Sequence, residues 1–350
     1  MSTPASSSPM SPDTALSAPV TVTEFPAMPT DTTSWQGVCA LPHLGLINAE
    51  GPDTAAFLHG QLSQDVQLLP AGEARLAAYC TAKGRMLADF TLWRHGEDGV
   101  RLLLTAALLP ATLKRLSMFV LRAKTRLTDG LASTSSAPLA LRGVVGLSLI
   151  DRLAGDAGAS APGHHKVLAL PDGAQLVRLP DVAGVARALW VGPLAQTPAL
   201  DALSALPTAA WGWLEVMSGV PRIELGTVEQ FVPQMINYEL VGGVNFRKGC
   251  YPGQEVVARS QYRGTVKRRL HLGHVAAAAA AGQEVFSSAD PGQPCGLVVN
   301  AAAAPDGGWA CSLELKLEQA GQPLRLGSPE GPSLRLLPLP YPLPTGDVDA

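Results

Sequence analysis

Short apolar runs cut by glycine and proline constrain this chain more than anything else in it. With 35 Gly and 30 Pro among 350 residues, long uninterrupted helices are excluded, and the pattern favours many turns and strands over a helical bundle. CALPHLGLINAEG reads as the first ordered strand, beginning near Val38, with Gly51-Pro52-Asp53 opening the next element. RLAAYCTAKGRMLADFTLWRHGEDGVRLLLTAAL reads as strand, Lys83-Gly84 turn, strand, glycine-containing turn, strand. From Leu270 onward, HLGHV, GQEVF, CGLVVNA, WACSLELKL and LRLLPLPY are short strands between Gly/Pro turns, the pattern of a small β-barrel.

Helical signals interrupt these strands. Residues 53–61 place Ala56, Phe57 and Gln61 on neighbouring faces, with Asp53 or Thr54 as the cap. Residues 110–119 predict a second helix, followed by a strand at 124–128. The stretch 141–206 is low in charge and reads as a variable αβ segment with strands near 143–147 and 188–191. Residues 211–219 predict a short helix, and GVPRIELG a turn and return strand. The alanine-rich 275–281 reads as a loop, and no internal repeat is present. A chain of this length predicts two or three domains, and a 47% hydrophobic content is enough for sizeable cores.

The first 34 residues are rich in Ser, Thr, Pro and Ala and hold no Lys or Arg. They lack the basic start and apolar run of a secretory signal and the arginines of a transit peptide, so a disordered tail is expected. No apolar stretch reaches spanning length, and a cytoplasmic protein without membrane association is expected. Cys39, Cys80, Cys250, Cys295 and Cys311 form no CxxC pair, which argues against a zinc site or a disulfide framework and for a reducing compartment. An iron–sulfur cluster held by this chain alone is not expected. His164 and His165 sit in a glycine-flanked loop without further ligands nearby in sequence, so no metal site is assigned.

Chemistry concentrates in residues 247–269, RKGCYPGQEVVARSQYRGTVKRR. Seven Lys/Arg residues face one carboxylate there, Glu255, in a chain of formal net charge −3. Pro252-Gly253 marks a turn, and GQEVVARSQYRG reads as a helix of about three turns. Glu255 falls in its first turn, Arg259 and Arg263 in later ones, and Glu255–Arg259 is an i,i+4 pair. Cys250 then lies just before a helix N-terminus, beside Arg247 and Lys248. Spacing leaves two readings: a thiol activated by a positive field, or a small packed residue next to a solvated basic face. No histidine base is close in sequence, His271 and His274 being the nearest. The cationic density itself points to an anionic partner. Trp211 reads either as core or as a platform for a flat heteroaromatic ligand.

The stretch FVPQMINYELVGGVNFRKGCYPGQEVVARSQYRG resembles the signature of the YgfZ family, folate-binding proteins related to the T-protein (aminomethyltransferase) of the glycine cleavage system. The KGCYxGQE core runs from Lys248 to Glu255. GPDTAAFLHGQLSQDV, CTAKGRMLADF, WGWLEVMSGVPRIE and LPLPY extend a weaker similarity over most of the chain from Val38 to Tyr341. The resemblance implies an α+β, three-domain T-protein fold around a central channel that binds tetrahydrofolate or a derivative, with a C-terminal β-barrel. The expected division is a tail at 1–34, a folate-binding region of two interleaved α+β domains at 35–269, and the barrel at 270–345.

The same resemblance implies site roles: Cys250 as the functional thiol, and Trp211, Leu44, Lys248, Gln254 and Arg259 as folate-binding positions, with no metal. Leu44 aligns where relatives carry a folate-contacting Trp, and the basic segment is expected to meet the glutamate tail of folate. Two positions depart from the T-protein pattern, Ala88-Asp89 in place of an Asp-Asp pair and Met235 in place of a pterin-contacting Glu. The loss argues against glycine cleavage activity. The implied function is an accessory role in iron–sulfur cluster assembly or repair and, through iron–sulfur enzymes, in tRNA modification. Its partners are transient iron–sulfur clients or assembly factors, and the protein is expected to be a monomer. The alternative is a folate-dependent aminomethyl transferase using Asp89 and Asp65 as acids. Direct tRNA binding through the basic helix is a third reading.

Overall fold

The structure is a computed structural model in which residues 28–132, 137–262 and 266–344 are described. The expected first strand is two strands. β1 (Gly37–Ala40) and β2 (Leu44–Glu50) belong to different sheets, and the chain crosses between them at Leu41-Pro42-His43. α1 (Thr54–Gln61) follows. Asp53 makes no capping bond, because its carboxylate accepts from the Lys124 N–H at 2.7 Å. β3 (Ala74–Cys80), β4 (Met86–His95) and β5 (Gly99–Thr105) form the expected meander, then come α2 (Leu109–Met118) and β6 (Arg126–Asp129). The sheet order is β3-β4-β5-β2-β6, with every pairing antiparallel.

Strand alternation explains why this sheet reads as nearly continuous apolar sequence. Phe90, Leu92, Ile47, Leu102 and Leu104 point to a core under α1 and α2, while Trp93, Leu44, Leu46 and Leu103 point to a second core on the other face. That second core is shared with another sheet. β7 (Leu139–Val145), α3 (Leu147–Gly155), β8 (Val167–Ala169), β9 (Gln175–Val182) and β10 (Val185–Pro193) give the order β1-β7-β10-β9-β8. α4 (Thr197–Asp201) and α5 (Thr208–Met217) then lead to an extended stretch, and α6 (Gln254–Tyr262) follows the basic loop. β11 (Arg268–Val275), β12 (Glu284–Ser287), β13 (Gly296–Ala303), β14 (Trp309–Lys316), β15 (Leu324–Leu326) and β16 (Ser333–Leu337) close a barrel in the order β11-β14-β13-β12-β15-β16.

Three further expectations change. GVPRIELG forms no return strand: Pro221 cannot donate to a ladder, and the backbone is held by side chains from both sides. Asn300 Oδ1 accepts from the Arg222 N–H at 2.9 Å and Asp89 Oδ1 from the Ile223 N–H at 2.6 Å. In the stretch 141–206 the strand β9 was not expected, since its Pro180 interrupts the pattern. The described part of the expected tail, residues 28–34, holds a short 3-10 turn at Thr32–Ser34, capped by Asp31, and Met28 packs against the inter-sheet core. Residues 1–27 lie outside the described residues, as does Arg263. Among the described residues no helix is long and apolar enough to cross a membrane.

Candidate functional site

Both sheets, α5 and barrel strand β13 meet around a cavity of about 390 Å³, within the size range of small-molecule sites. Charged groups reach it from separate elements: His43 from the β1–β2 crossover, Asp89 from β4, Arg187 from β10, Glu215 from α5, and Arg222 and Glu224 from the extended stretch. The His43 Nε2–H donates to Glu215 Oε2 at 2.7 Å, and Arg222 Nη2 to Glu215 Oε1 at 3.3 Å. Arg222 Nη1 lies 3.7 Å from Asp89 Oδ2 and has no hydrogen-bond partner, although it is buried. Asn300 Nδ2 donates to Glu224 Oε1 at 2.7 Å and to the Arg222 carbonyl at 2.8 Å.

Burial and partner charges set these groups apart. Burial pushes the Asp89 carboxyl up to about 6, with Arg222 opposing only in part. Burial also acts to raise Glu215, but Arg222, the His43 hydrogen bond and Arg187 overcome it and hold that carboxyl down at about 2. Burial pushes Glu224 up against the hydrogen bond from Asn300. The cavity thus holds a fixed anion, Glu215, beside a carboxyl, Asp89, that changes charge near neutrality. Such a site can orient a flat heterocycle rich in N–H groups and exchange a proton with it.

Strand alternation sends Ala88 and Asp89 to opposite faces of β4. Ala88 is buried in the core under α1, whereas Asp89 faces the cavity. Met235 packs against that same core and does not line the cavity. Two further carboxylates, Glu215 and Glu224, reach the cavity from other elements.

Cys250 occupies a different place. It is exposed, while Cys39, Cys80, Cys295 and Cys311 are buried. Its loop is clamped between α1 and the Lys83-Gly84 turn. Lys248 Nζ donates to the carbonyls of His59 and, at 2.8 Å, Leu62, and lies 4.9 Å from the Tyr251 ring. Burial pulls the Lys248 ammonium down to about 8, with Asp65 and Cys250 opposing. Gly253 starts the next helix at φ +83°, and a Cβ there would sit 2.3 Å from the Thr81 carbonyl oxygen, so only glycine allows this approach.

The residues singled out from sequence fall into two groups. Leu44 and Trp211 come together in the inter-sheet core, fully covered, and neither lines the cavity. Trp211 forms a layer behind it: its ring packs on the Gly143 backbone, Arg187 lies 5.8 Å above it, and its indole N–H has no partner. Lys248, Gln254 and Arg259 belong with Cys250 and are likewise absent from the cavity lining. Two cations of the basic segment find carboxylates distant in sequence. Arg268 makes two bonds to the buried Glu314 at 2.9 and 2.8 Å, and Arg269 pairs with Glu239. Glu255 and Arg259 are both exposed and no ion pair joins them among the described residues. His164 pairs with Asp181 at 3.3 Å, and His165 lines the cavity.

Sequence reasoning missed His43, Arg187, Glu215, Arg222, Glu224 and Asn300. Glu215 carried a signal, as a single carboxylate in the apolar helix AAWGWLEVM. His43 and Asn300 carried none.

No family model matches the chain. It is 33% identical over 237 residues to the tRNA-modifying protein YgfZ of Pectobacterium carotovorum, covering 66% of this chain and 68% of that one. With the protein of the same name from Photorhabdus laumondii it shares 30% identity over 315 residues, 87% of this chain and 92% of the relative. The relative from Serratia proteamaculans is 29% identical over 318 residues. Among solved structures, the glycine cleavage system aminomethyltransferase T from Bartonella henselae has the same fold, with a TM-score of 0.70 at 18% identity, covering 87% of this chain and 85% of that one.

Proposed function

This chain belongs to the YgfZ family, and on that premise we propose that it is a folate-binding accessory protein that supports tRNA modification by assisting the assembly or repair of iron–sulfur clusters. The observation that carries the proposal is the cavity where the two sheets, α5 and the barrel meet, with Asp89, Glu215, Glu224 and Arg222 on its walls. Its donor set fits tetrahydrofolate. Carboxylates accept from the N–H edge of a pterin, and the partnerless Arg222 Nη1 is available to an acceptor on the ligand. Folate would bring a one-carbon carrier to this site, and the residues of this chain would bind and orient it. Cys250, exposed on its clamped loop, is the functional thiol, acting on iron–sulfur clients that dock transiently.

Titration with tetrahydrofolate and its methylene form tests the cavity. Wild type and Cys250→Ser are expected to bind alike, and Glu215→Gln at least tenfold more weakly. Equal affinity in all three overturns the assignment of the cavity. In a deletion strain, Cys250→Ser is expected to fold yet fail to restore iron–sulfur enzyme activity; full rescue removes the thiol from the function.

A second reading, folate-dependent aminomethyl transfer, draws on Asp89, whose carboxyl is held at about 6 and is suited to carry a proton at neutral pH. Turnover of methylene-tetrahydrofolate with an aminomethyl donor would favour it. No turnover by the pure protein leaves the accessory role.

A further inference from the structure

The last turn of α1 carries His59, which faces the loop of Cys250 although 191 positions separate the two in sequence. A Cβ built on Gly249, the residue preceding the cysteine, would lie 3.3 Å from His59 Nε2. The other ring nitrogen is taken: His59 Nδ1 and Asp65 Oδ1 are 3.2 Å apart. A carboxylate partner fixes the proton on Nδ1 and leaves Nε2 with a free lone pair toward the loop. Asp65 is itself held, since its Oδ1 also accepts from the Leu68 N–H at 2.9 Å. Both side chains are largely buried. Lys248 ties the loop to the same end of α1 through the His59 and Leu62 carbonyls, so the His59 ring and the Cys250 loop are held against one another.

We propose that His59, oriented by Asp65, is the proton acceptor that activates Cys250. The inference rests on the reading of Cys250 as the functional thiol and adds the base which that reading lacked. When an electrophile arrives, the S–H bond breaks, the proton passes to Nε2, and the sulfur lone pair forms the new bond as the leaving group departs. The resulting imidazolium keeps its Nδ1–H on the Asp65 carboxylate. Leu68 N–H and His59 hold that carboxyl below the usual range, against burial, which raises it. Other charged and titratable groups face the site. Arg247 and Lys248 lie on the loop with Tyr251, Glu255 on α6, and Arg75 on β3, where it donates to the Asp65 carbonyl at 3.4 Å.

The test is the pH dependence of alkylation by iodoacetamide, followed at the Cys250 peptide by mass spectrometry in the full chain. Iodide leaves as the S–C bond forms. Wild type is expected to react at pH 6.5 at least tenfold faster than His59→Gln, with Asp65→Asn between them and all three converging above pH 9.5. A wild-type profile like that of free cysteine overturns the functional-thiol reading itself. A wild-type profile shifted to low pH, and retained in His59→Gln, overturns only the role of His59. Cys250→Ser gives a second measurement that is insensitive to any folding defect of the histidine variant. The NMR titration of the His59 ring is expected to move to lower pH when the thiol is removed. An unchanged titration overturns the coupling.

Discussion

Around the central cavity, Asp89, Glu215 and Arg222 reach a common centre from a strand, a helix and an extended stretch, and Arg222 bridges the two carboxylates. At the Cys250 loop the sulfur is exposed, and the buried charge beside it, Lys248, is satisfied mainly by carbonyl oxygens of α1. The difference is one of solvation. Charges in the cavity have lost most of their water, so each depends on the others, and a ligand must replace specific hydrogen bonds to enter. At the loop, water screens the surface charges, and reactivity depends on a few oriented groups near one atom. Small-molecule recognition suits the first setting, and contact with a macromolecular partner suits the second.

The largest effect should come from breaking the cavity network. Arg222→Leu leaves Glu215 and Asp89 without their shared counter-charge, and a loss of about 3–5 kcal/mol is expected in urea unfolding. A loss under about 1 kcal/mol would mean that the cavity charges are not coupled. Gly253→Ala should cost about 2–3 kcal/mol, since its φ of +83° and the Thr81 carbonyl both oppose a side chain. Tetrahydrofolate affinity should survive that change, because the turn lies outside the cavity; a parallel loss of affinity would break the separation of the two regions.

Titration sharpens the comparison further. Asp89 binds its proton more tightly in the folded protein, at about 6 against 3.8, so its contribution to stability is present below pH 3.8 and lost as pH rises through about 6. Asp89→Asn should therefore unfold at a higher temperature than wild type at pH 8, by the equivalent of about 1–3 kcal/mol, with the difference vanishing below pH 4. Glu215 has the opposite sign. Its stabilisation is present above pH 4.5 and lost as pH falls towards about 2, so Glu215→Gln should flatten the acid limb of the melting profile. The smallest effect belongs to the loop: Cys250→Ser should change stability by less than about 0.5 kcal/mol in the same assay.

Much of the scaffold was legible. The β3–β5 meander, both early helices, α5 and five of the six barrel strands follow from runs of apolar residues bounded by Gly, Pro or caps, which are local signals. Strand β15 is three residues long and β9 contains Pro180, so neither offers a period to read. The site was half legible. Cys250 and its loop were visible as a motif, whereas Glu215 and Arg222 were passed over as parts of a helix and a turn. Arg268 and Arg269 looked unbalanced because their partners, Glu314 and Glu239, are 46 and 30 residues away.

By itself the sequence determined the richness in strands, the family through its KGCYxGQE core, and the presence of a thiol in a basic loop. These are properties of contiguous residues, written in spacing and turn chemistry. Only the tertiary structure decided that Trp211 and Leu44 are core while Asp89, Glu215 and Arg222 share a cavity, and that His59 stands beside the Cys250 loop. Those relations depend on which strand faces which sheet and on the dielectric each charge ends up in, and neither is a local property of the chain.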